Sequence, residues 1–367
     1  MWDNKLYLKR ILVFVIKISF LPLVLLIVLI RPLLFIRFGM MINIRIGHFM
    51  IDVEAYLCKR EKKDAINSTF DIIYCPNPVC NIQAKLMWSR IVLILPGAVF
   101  WKYLDLACQF WTRGDKHHLQ LYNLRSDYKL IPISNPHLRF NDKEIIKGNY
   151  LLKKLGIPSD ALWICIHNRD SAYLDKIFGS TRSYHGKSGY DSHRDFDIKS
   201  MEKMCNRLTE MGYYVIRVGS VVTERLSINN SKVIDYALST SRSDFLDIFL
   251  LANCYSYIGS DSGISCIPYI FRRPVCFINW NSANIDELVI REYAYPILIK
   301  KIWNCEKKYF LSIREIFELG LAGTDEAGIF EDAGLKIISN TSDEICCYAI
   351  ELHRRLSDTW ISDLEDE

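Results

Sequence analysis

The stretch from Ser243 to Trp280, SDFLDIFLLANCYSYIGSDSGISCIPYIFRRPVCFINW, constrains the fold more than any other. It reads as helix, strand, glycine-containing loop, helix, strand. Asp244 to Asn253 carries Phe245, Ile248, Phe249 and Ala252 at the spacing of one buried helical face. Cys254 to Ile258 reads as a short strand, and Gly259-Ser260-Asp261-Ser262-Gly263 breaks the pattern. Ile264 to Phe271 reads as a helix opening, and Val275 to Ile278 as the next buried strand. A small-residue turn between a strand and a helix N-terminus presents backbone N–H groups beside the positive end of a dipole, which suits a phosphate or diphosphate.

The same alternation extends along the chain. Ile42-Asn43-Ile44, Asp71 to Tyr74 and Ile91 to Leu95 are predicted strands of a first domain, with Gly39 a break before them. Arg45-Ile46-Gly47-His48-Phe49 is a predicted loop, Asp52 to Lys59 a helix, and Ala98 to Trp111 an aromatic-rich helix. Asn141 to Leu155 reads as a helix, and Gly156 to Asp160 as a linker with a proline stop. A second domain starts at Trp163-Ile164-Cys165-Ile166 and continues through a helix at Met201 to Met211 and strands at Tyr214 to Val218 and Val233 to Asp235. Asn340-Thr341-Ser342-Asp343 looks like a cap for a helix over Glu344 to Leu356. Strands alternating with helices predict an α/β class with parallel sheets covered on both sides.

At 367 residues the chain has length for two cores. A net charge of +4 is too small to argue for nucleic acid. The 12 cysteines form no zinc-type spacing, so buried free thiols are expected. Ile11 to Ile30, ILVFVIKISFLPLVLLIVLI, has almost the length of a bilayer span, but Lys17 interrupts it and Pro22 would kink it. No small-residue cleavage site follows. A single anchor, a membrane-surface or re-entrant helix, and a buried core helix all fit the segment.

Several polar groups fall where ligands of open α/β sheets bind, beyond the carboxyl ends of strands. His167-Asn168-Arg169-Asp170 follows the Trp163 strand, and the planar fork of Arg169 suits phosphate oxygens. A surface pair with Asp170 is the structural alternative. Arg217, Gly219 and Ser220 end another central strand. Ser260, Asp261, Ser262 and Gly263 form the turn itself, with Asp261 expected to cap backbone or bind a hydroxyl. Arg242 is a further candidate, or a salt-bridge partner of Asp244 or Asp247. The polar loop from Asp170 to Arg194, with Tyr173, Arg182, Tyr184, His185, Lys187, Tyr190 and His193, has the length of a binding loop. Asp195-Phe196-Asp197 is an Asp-x-Asp pair, but no residue pattern requires a metal. In the first domain, His48, Asp52 and Glu54 form the dense titratable group.

The Ser260–Gly263 turn, the Asp244-Phe245-Leu246-Asp247 helix before it and the Arg273-Pro274-Val275 strand after it resemble the donor half of glycosyltransferases with the GT-B fold. The chain is most similar to a bacterial glycosyltransferase family distantly related to heptosyltransferases and fucosyltransferases. The resemblance runs from about Trp163 to Trp280 and is thinner from Gly39 to Tyr150. It implies two Rossmann-like domains: a membrane-associating segment at 1–38, an acceptor domain at 39–155, a nucleotide-sugar domain at 156–340, and a C-terminal helix and acidic tail at 341–367. It implies a nucleotide-sugar donor, no cofactor, and a glycan or lipid-linked acceptor of the bacterial envelope. Polysaccharide biosynthesis at the cytoplasmic side of the inner membrane follows from that reading. His48, Asp52 or Glu54 would be the general base, and Arg169 would act on the departing diphosphate, as an arginine does in fucosyltransferase-like enzymes. A non-catalytic scaffold of an envelope complex, or transfer of a pyruvyl or phosphoglycosyl group, would use the same frame.

Overall fold

The computed structural model describes residues 3–62, 69–113, 115–122, 124–170, 172–173, 176, 183–184, 187–188, 194–281, 295, 297–323 and 327–361. The chain divides into two compact units, Met1–Phe140 and Asn141–Glu367.

The first unit opens with helices α1 (Asp3–Ser19) and α2 (Leu21–Ile30). Pro22 sits in the first turn of α2, where its missing N–H costs nothing, and the apolar segment breaks just before it, as expected. Arg10–Ser19 and Leu21–Ile30 are bent by 48°, and no single helix among the described residues is long and apolar enough to cross a membrane. Val24 and Ile27 join the core with Phe38, Ile72, Tyr74, Leu104 and Ala107. The outer face stays bare, with Leu29 and Leu33 76% and 84% exposed. The segment therefore carries one core face and one apolar open face.

Strand β1 (Phe35–Met40) pairs in parallel with β2 (Thr69–Tyr74) and β3 (His118–Leu119). The predicted strand at Ile42–Ile44 is thus misplaced, and Gly39 lies inside a strand. A Cβ on Gly39 would sit 2.9 Å from Leu121 Cδ1, a side-chain methyl that would have to shift. Asn43 instead donates to the carbonyls of Pro76 and Pro78. Helix α3 runs from Ile46 to Lys62 and takes in positions 46–49 of the predicted loop. Ile91 to Leu95 makes one bridge, Ile94 to Ile73, rather than a strand. Helix α4 (Ile82–Trp88) is capped by Asn81, and α5 (Ala98–Trp111) packs on α1 and α2. The Asp71 carboxylate takes two hydrogen bonds from Arg37 at 2.7 and 2.9 Å, tying β2 to β1.

The second unit begins with α6 (Asp142–Lys154), whose capping box joins Asn141 and Glu144. The sequence reading placed this helix in the first domain, but it packs on α8 of the second, defined below. The central strands are β4 (Trp163–His167), β7 (Tyr214–Arg217), β8 (Val233–Asp235), β9 (Ser256–Gly259), β10 (Val275–Trp280) and β11 (Ile297–Ile299). They form a fully parallel sheet in the order β11-β10-β9-β4-β7-β8. Between β4 and β7 lies a hairpin of β5 (Ser183–Tyr184) and β6 (Lys187–Ser188). The connecting helices are α7 (Glu202–Glu210), α8 (Asp244–Asn253) and α9 (Cys266–Ile270). β12 (Lys301–Asn304), β13 (Tyr309–Phe310) and β14 (Leu335–Ile338) make a small antiparallel sheet. Helices α10 (Ile313–Glu318) and α11 (Ala327–Asp332) lie between β13 and β14. The last helix, α12 (Ser342–Leu356), buries Ile345, Ala349 and Leu352 against Met204, Cys205 and Leu208 of α7. It completes the core of this unit rather than standing apart from it. The cysteines are free thiols, most of them buried.

Gly259 ends β9 beside β4. A Cβ there would lie 2.4 Å from the His167 carbonyl oxygen, a backbone atom with no room to yield. Gly259→Ala is expected to destabilise the protein by about 1–3 kcal/mol, as overpacking does. Urea unfolding measures this, and an unchanged midpoint would mean that β4 and β9 are more loosely joined.

Candidate functional site

The parallel sheet sends the carboxyl ends of β4, β9 and β10 in one direction. The residues after β4 and β9 meet directly: the backbone N–H of Arg169 donates to Ser260 Oγ at 2.8 Å, and the N–H of Ser260 donates to the His167 carbonyl. The Ser260 hydroxyl, expected to grip a ligand, therefore binds two loops together. Residues 194–196 lie across the same strand end. Phe196 N–H donates to the Arg169 carbonyl, and Asn168 Nδ2 donates to the Phe196 carbonyl at 3.0 Å.

This arrangement gathers three cations. Arg169 Nη1 donates to Asp195 Oδ1 at 3.1 Å, so its carboxylate partner is Asp195 and not the adjacent Asp170. Arg194 Nη2 donates to both the carbonyl and Oδ2 of Asp261 at 2.7 Å. Asp261, expected to cap backbone or bind a hydroxyl, is paired with this arginine instead. Lys300 follows β11 and donates from Nζ to the Asp195 carbonyl at 2.7 Å. Burial pushes its ammonium down to about 8, Arg169 adds to that, and Asp195 opposes it. Three cationic side chains thus surround two carboxylates at the strand ends.

The turn itself differs from expectation. Gly263–Ser265 is a 3₁₀ turn that runs into the five-residue helix α9. So short an element has little macrodipole, and the charge for an anion comes from side chains. The Ser262 carbonyl accepts from Ser265.

Other expected contacts turn inward. Arg217 is fully buried and donates to the Glu224 carbonyl, to Asp235 Oδ2 at 3.3 Å and to Asn168 Oδ1 at 3.1 Å. Strand alternation points it into the unit, so it supports the site without facing it. His167 Nδ1 donates to the Val218 carbonyl at 2.9 Å, and burial lowers its pKa to about 4, leaving it neutral near pH 7. Asn168 is buried between Arg217 and Phe196. The Gly219 carbonyl accepts from Arg242 Nε, and Arg242 pairs with Asp247, while Ser220 is exposed. Asp195 and Asp197 have separate partners, since Asp197 caps the turn at Ile198–Met201. Asp170 accepts from the N–H and hydroxyl of Thr223. Of the expected binding loop, Arg182, His185, Tyr190 and His193 lie outside the described residues.

In the first unit, α3 separates the three titratable candidates. His48 and Asp52 stand one turn apart, and His48 Nδ1 donates to Asp52 Oδ2 at 2.9 Å. Tyr128 donates to the other oxygen at 2.6 Å. Asp52 is buried and His48 is 36% exposed on its side chain. With Nδ1–H donated to Asp52, Nε2 is the ring nitrogen left with a lone pair. Glu54 points elsewhere, toward His137. Lys300 and Tyr128 escaped the sequence reading. A lysine directly after the apolar Ile297–Ile299 strand was the available signal for the first.

No protein-family model matches this chain, and no curated protein sequence does. Among solved structures, the fold is similar to a glycosyl transferase family 9 protein from Veillonella parvula DSM 2008. That likeness has 9% identity, covers 88% of this chain and 98% of that one, and has a TM-score of 0.49. The ADP-heptose lipopolysaccharide heptosyltransferase II of E. coli is similar at 13% identity, over 72% of this chain and 90% of that one, with a TM-score of 0.42. These are the kinds of protein that the sequence resemblance named. At such scores the likeness is one of chain course, and the functional reading rests on the site's own chemistry.

The lowered pKa of Lys300 has a signed consequence. Its value falls from 10.5 in the unfolded chain to about 8 on folding. The unfolded chain therefore holds the proton more tightly, and this group makes stability rise with pH between about 8 and 10.5. Below about 8 the cost of the buried charge is complete. Comparing urea unfolding of wild type and Lys300→Met from pH 7 to 10 should show the difference moving in favour of wild type, on the order of 1–3 kcal/mol. A constant difference would place the lysine in contact with water.

Proposed function

We propose that this chain is a nucleotide-sugar-dependent glycosyltransferase acting on a surface-glycan or lipid-linked acceptor. The observation that carries the proposal is the Arg169, Arg194 and Lys300 cluster at the carboxyl ends of parallel strands. In the proposed reaction, His48 Nε2 takes the proton of an acceptor hydroxyl, with Asp52 holding the ring and stabilising the imidazolium. The acceptor oxygen bonds to the anomeric carbon as the carbon–oxygen bond to the diphosphate breaks. The electron pair stays on the diphosphate, where Arg169 and Lys300 offset its charge. These steps draw on no cofactor and no metal at the diphosphate. Glu54 has no part in them.

Thermal stabilisation across a panel of nucleoside diphosphates tests donor binding, since a ligand of the folded state raises its melting temperature. A shift is expected in wild type and a smaller one in Lys300→Met. Lysine at position 169 keeps a charge but loses the planar fork. Arg169→Lys is therefore expected to retain its fold and lose about 10²-fold or more in turnover. Full activity in Arg169→Lys and Arg169→Ala would make Arg169 a structural partner of Asp195. A specific observation favours the rival scaffold reading: Arg169 and Arg194 both engage carboxylates of their own chain. Absence of any shift across the panel would select it.

The proposed place of action is the cytoplasmic side of the inner membrane. The apolar open face of α1 and α2 beside Arg10, Lys17 and Arg31 supports a surface-lying attachment. Sedimentation with anionic vesicles is expected for wild type. Leu25→Glu with Leu29→Glu, both on the open face, should abolish it while the melting temperature holds. Unchanged sedimentation would remove this face from the attachment.

A further inference from the structure

One group of side chains in the first unit has no part in the proposed transfer. Glu54, Cys58 and Glu61 stand at i, i+4 and i+7 on α3, so they share one helical face. Glu54 and Cys58 are fully buried. His137, from the segment that leads out of the unit, reaches this face from outside the helix. Its Nδ1 lies 3.2 Å from Glu54 Oε2, and its Nε2 lies 3.1 Å from Glu61 Oε1. Carboxylate, thiol and imidazole ligand atoms of Glu54, Cys58 and His137 all fall within 4.8 Å of one another.

We propose that Glu54, Cys58 and His137 bind a divalent metal ion of the zinc class. The donor set is one sulfur, one nitrogen and one oxygen, which suits a borderline ion and not calcium or magnesium. Zinc bonds of about 2.0–2.3 Å place tetrahedral ligand atoms about 3.3–3.8 Å apart, so closure asks for a shift of about 1 Å. His137 would bind through Nδ1. Its Nε2–H then donates to Glu61, the carboxylate–histidine–metal relation that orients a ring and raises its basicity. The three residues leave one position for water. The ion would tie the chain segment before Phe140 to α3, a structural role independent of sugar transfer. Binding displaces the thiol proton of Cys58 and any proton on His137 Nδ1, with no change of oxidation state.

The competing account is an imidazolium held between Glu54 and Glu61. Cobalt(II) titration of the full-length, chelator-treated protein separates the two. A bound ion is expected to give a thiolate-to-cobalt charge-transfer band and intense four-coordinate visible bands, both lost on adding zinc(II). Cys58→Ser should lose the charge-transfer band, which also excludes the other cysteines. Glu61 is largely exposed, so Glu61→Gln should fold and weaken zinc affinity by about 10–100-fold. If Cys58→Ser fails to fold by circular dichroism, Glu61→Gln alone decides. No charge-transfer band in folded wild type, the same band in Cys58→Ser, or unchanged affinity in Glu61→Gln would each overturn the proposal.

Discussion

The candidate site depends on one buried charge. The Arg217 guanidinium has no access to water and is held by Asp235, the Glu224 carbonyl and Asn168. Its grip on Asn168 Oδ1 fixes that amide, so Nδ2 is aimed at the Phe196 carbonyl. Phe196 in turn sets the position of Asp195, and Asp195 receives both Arg169 and Lys300. Four links thus lead from a buried ion pair to the two cations at the strand ends. Losing one partner of a buried pair costs roughly 3–5 kcal/mol, because the other charge is stranded. Arg217 therefore combines a structural cost with control over residues it never touches.

The regular elements were legible because their signals are local. Asn141 with Glu144 and Thr341 with Glu344 close capping boxes, and both helices begin where those residues indicate. The strands at Tyr214, Val233 and Val275 are short apolar runs bounded by turns, and the parallel sheet follows from their alternation with helices. The first strand was not legible in the same way. From Ile11 to Ile46 the chain is almost continuously apolar, and nothing local separates Phe35–Met40 from Ile42–Ile44. Pairing with Thr69–Tyr74 decides between them, and that partner is distant in sequence.

The site was legible by location more than by role. Arg169 and Arg217 both stand at the ends of central strands. Arg217 belongs to the strand and is turned inward by its alternation, whereas Arg169 lies two residues beyond β4. Lys300 meets the Asp195 carbonyl across 105 residues of chain, a relation no spacing rule contains. The group on α3 shows the opposite case. A spacing of four joins His48 to Asp52, while Glu54 belongs to the face shared with Cys58. Helical geometry sorts one dense sequence cluster into two chemical neighbourhoods.

The two-faced character of α1 and α2 has a consequence for biosynthesis. Both helices leave the ribosome before α5, the helix that covers Val24 and Ile27 and that begins only at Ala98. At about 5–20 residues per second, that interval lasts on the order of several seconds. During it, the inner face of α2 lacks the cover of Leu104, Ala107 and Cys108. A membrane surface or a chaperone therefore meets these residues before α5 exists. Docking of α5 must then compete for the inner face, and the order of synthesis alone favours early contact with an apolar surface.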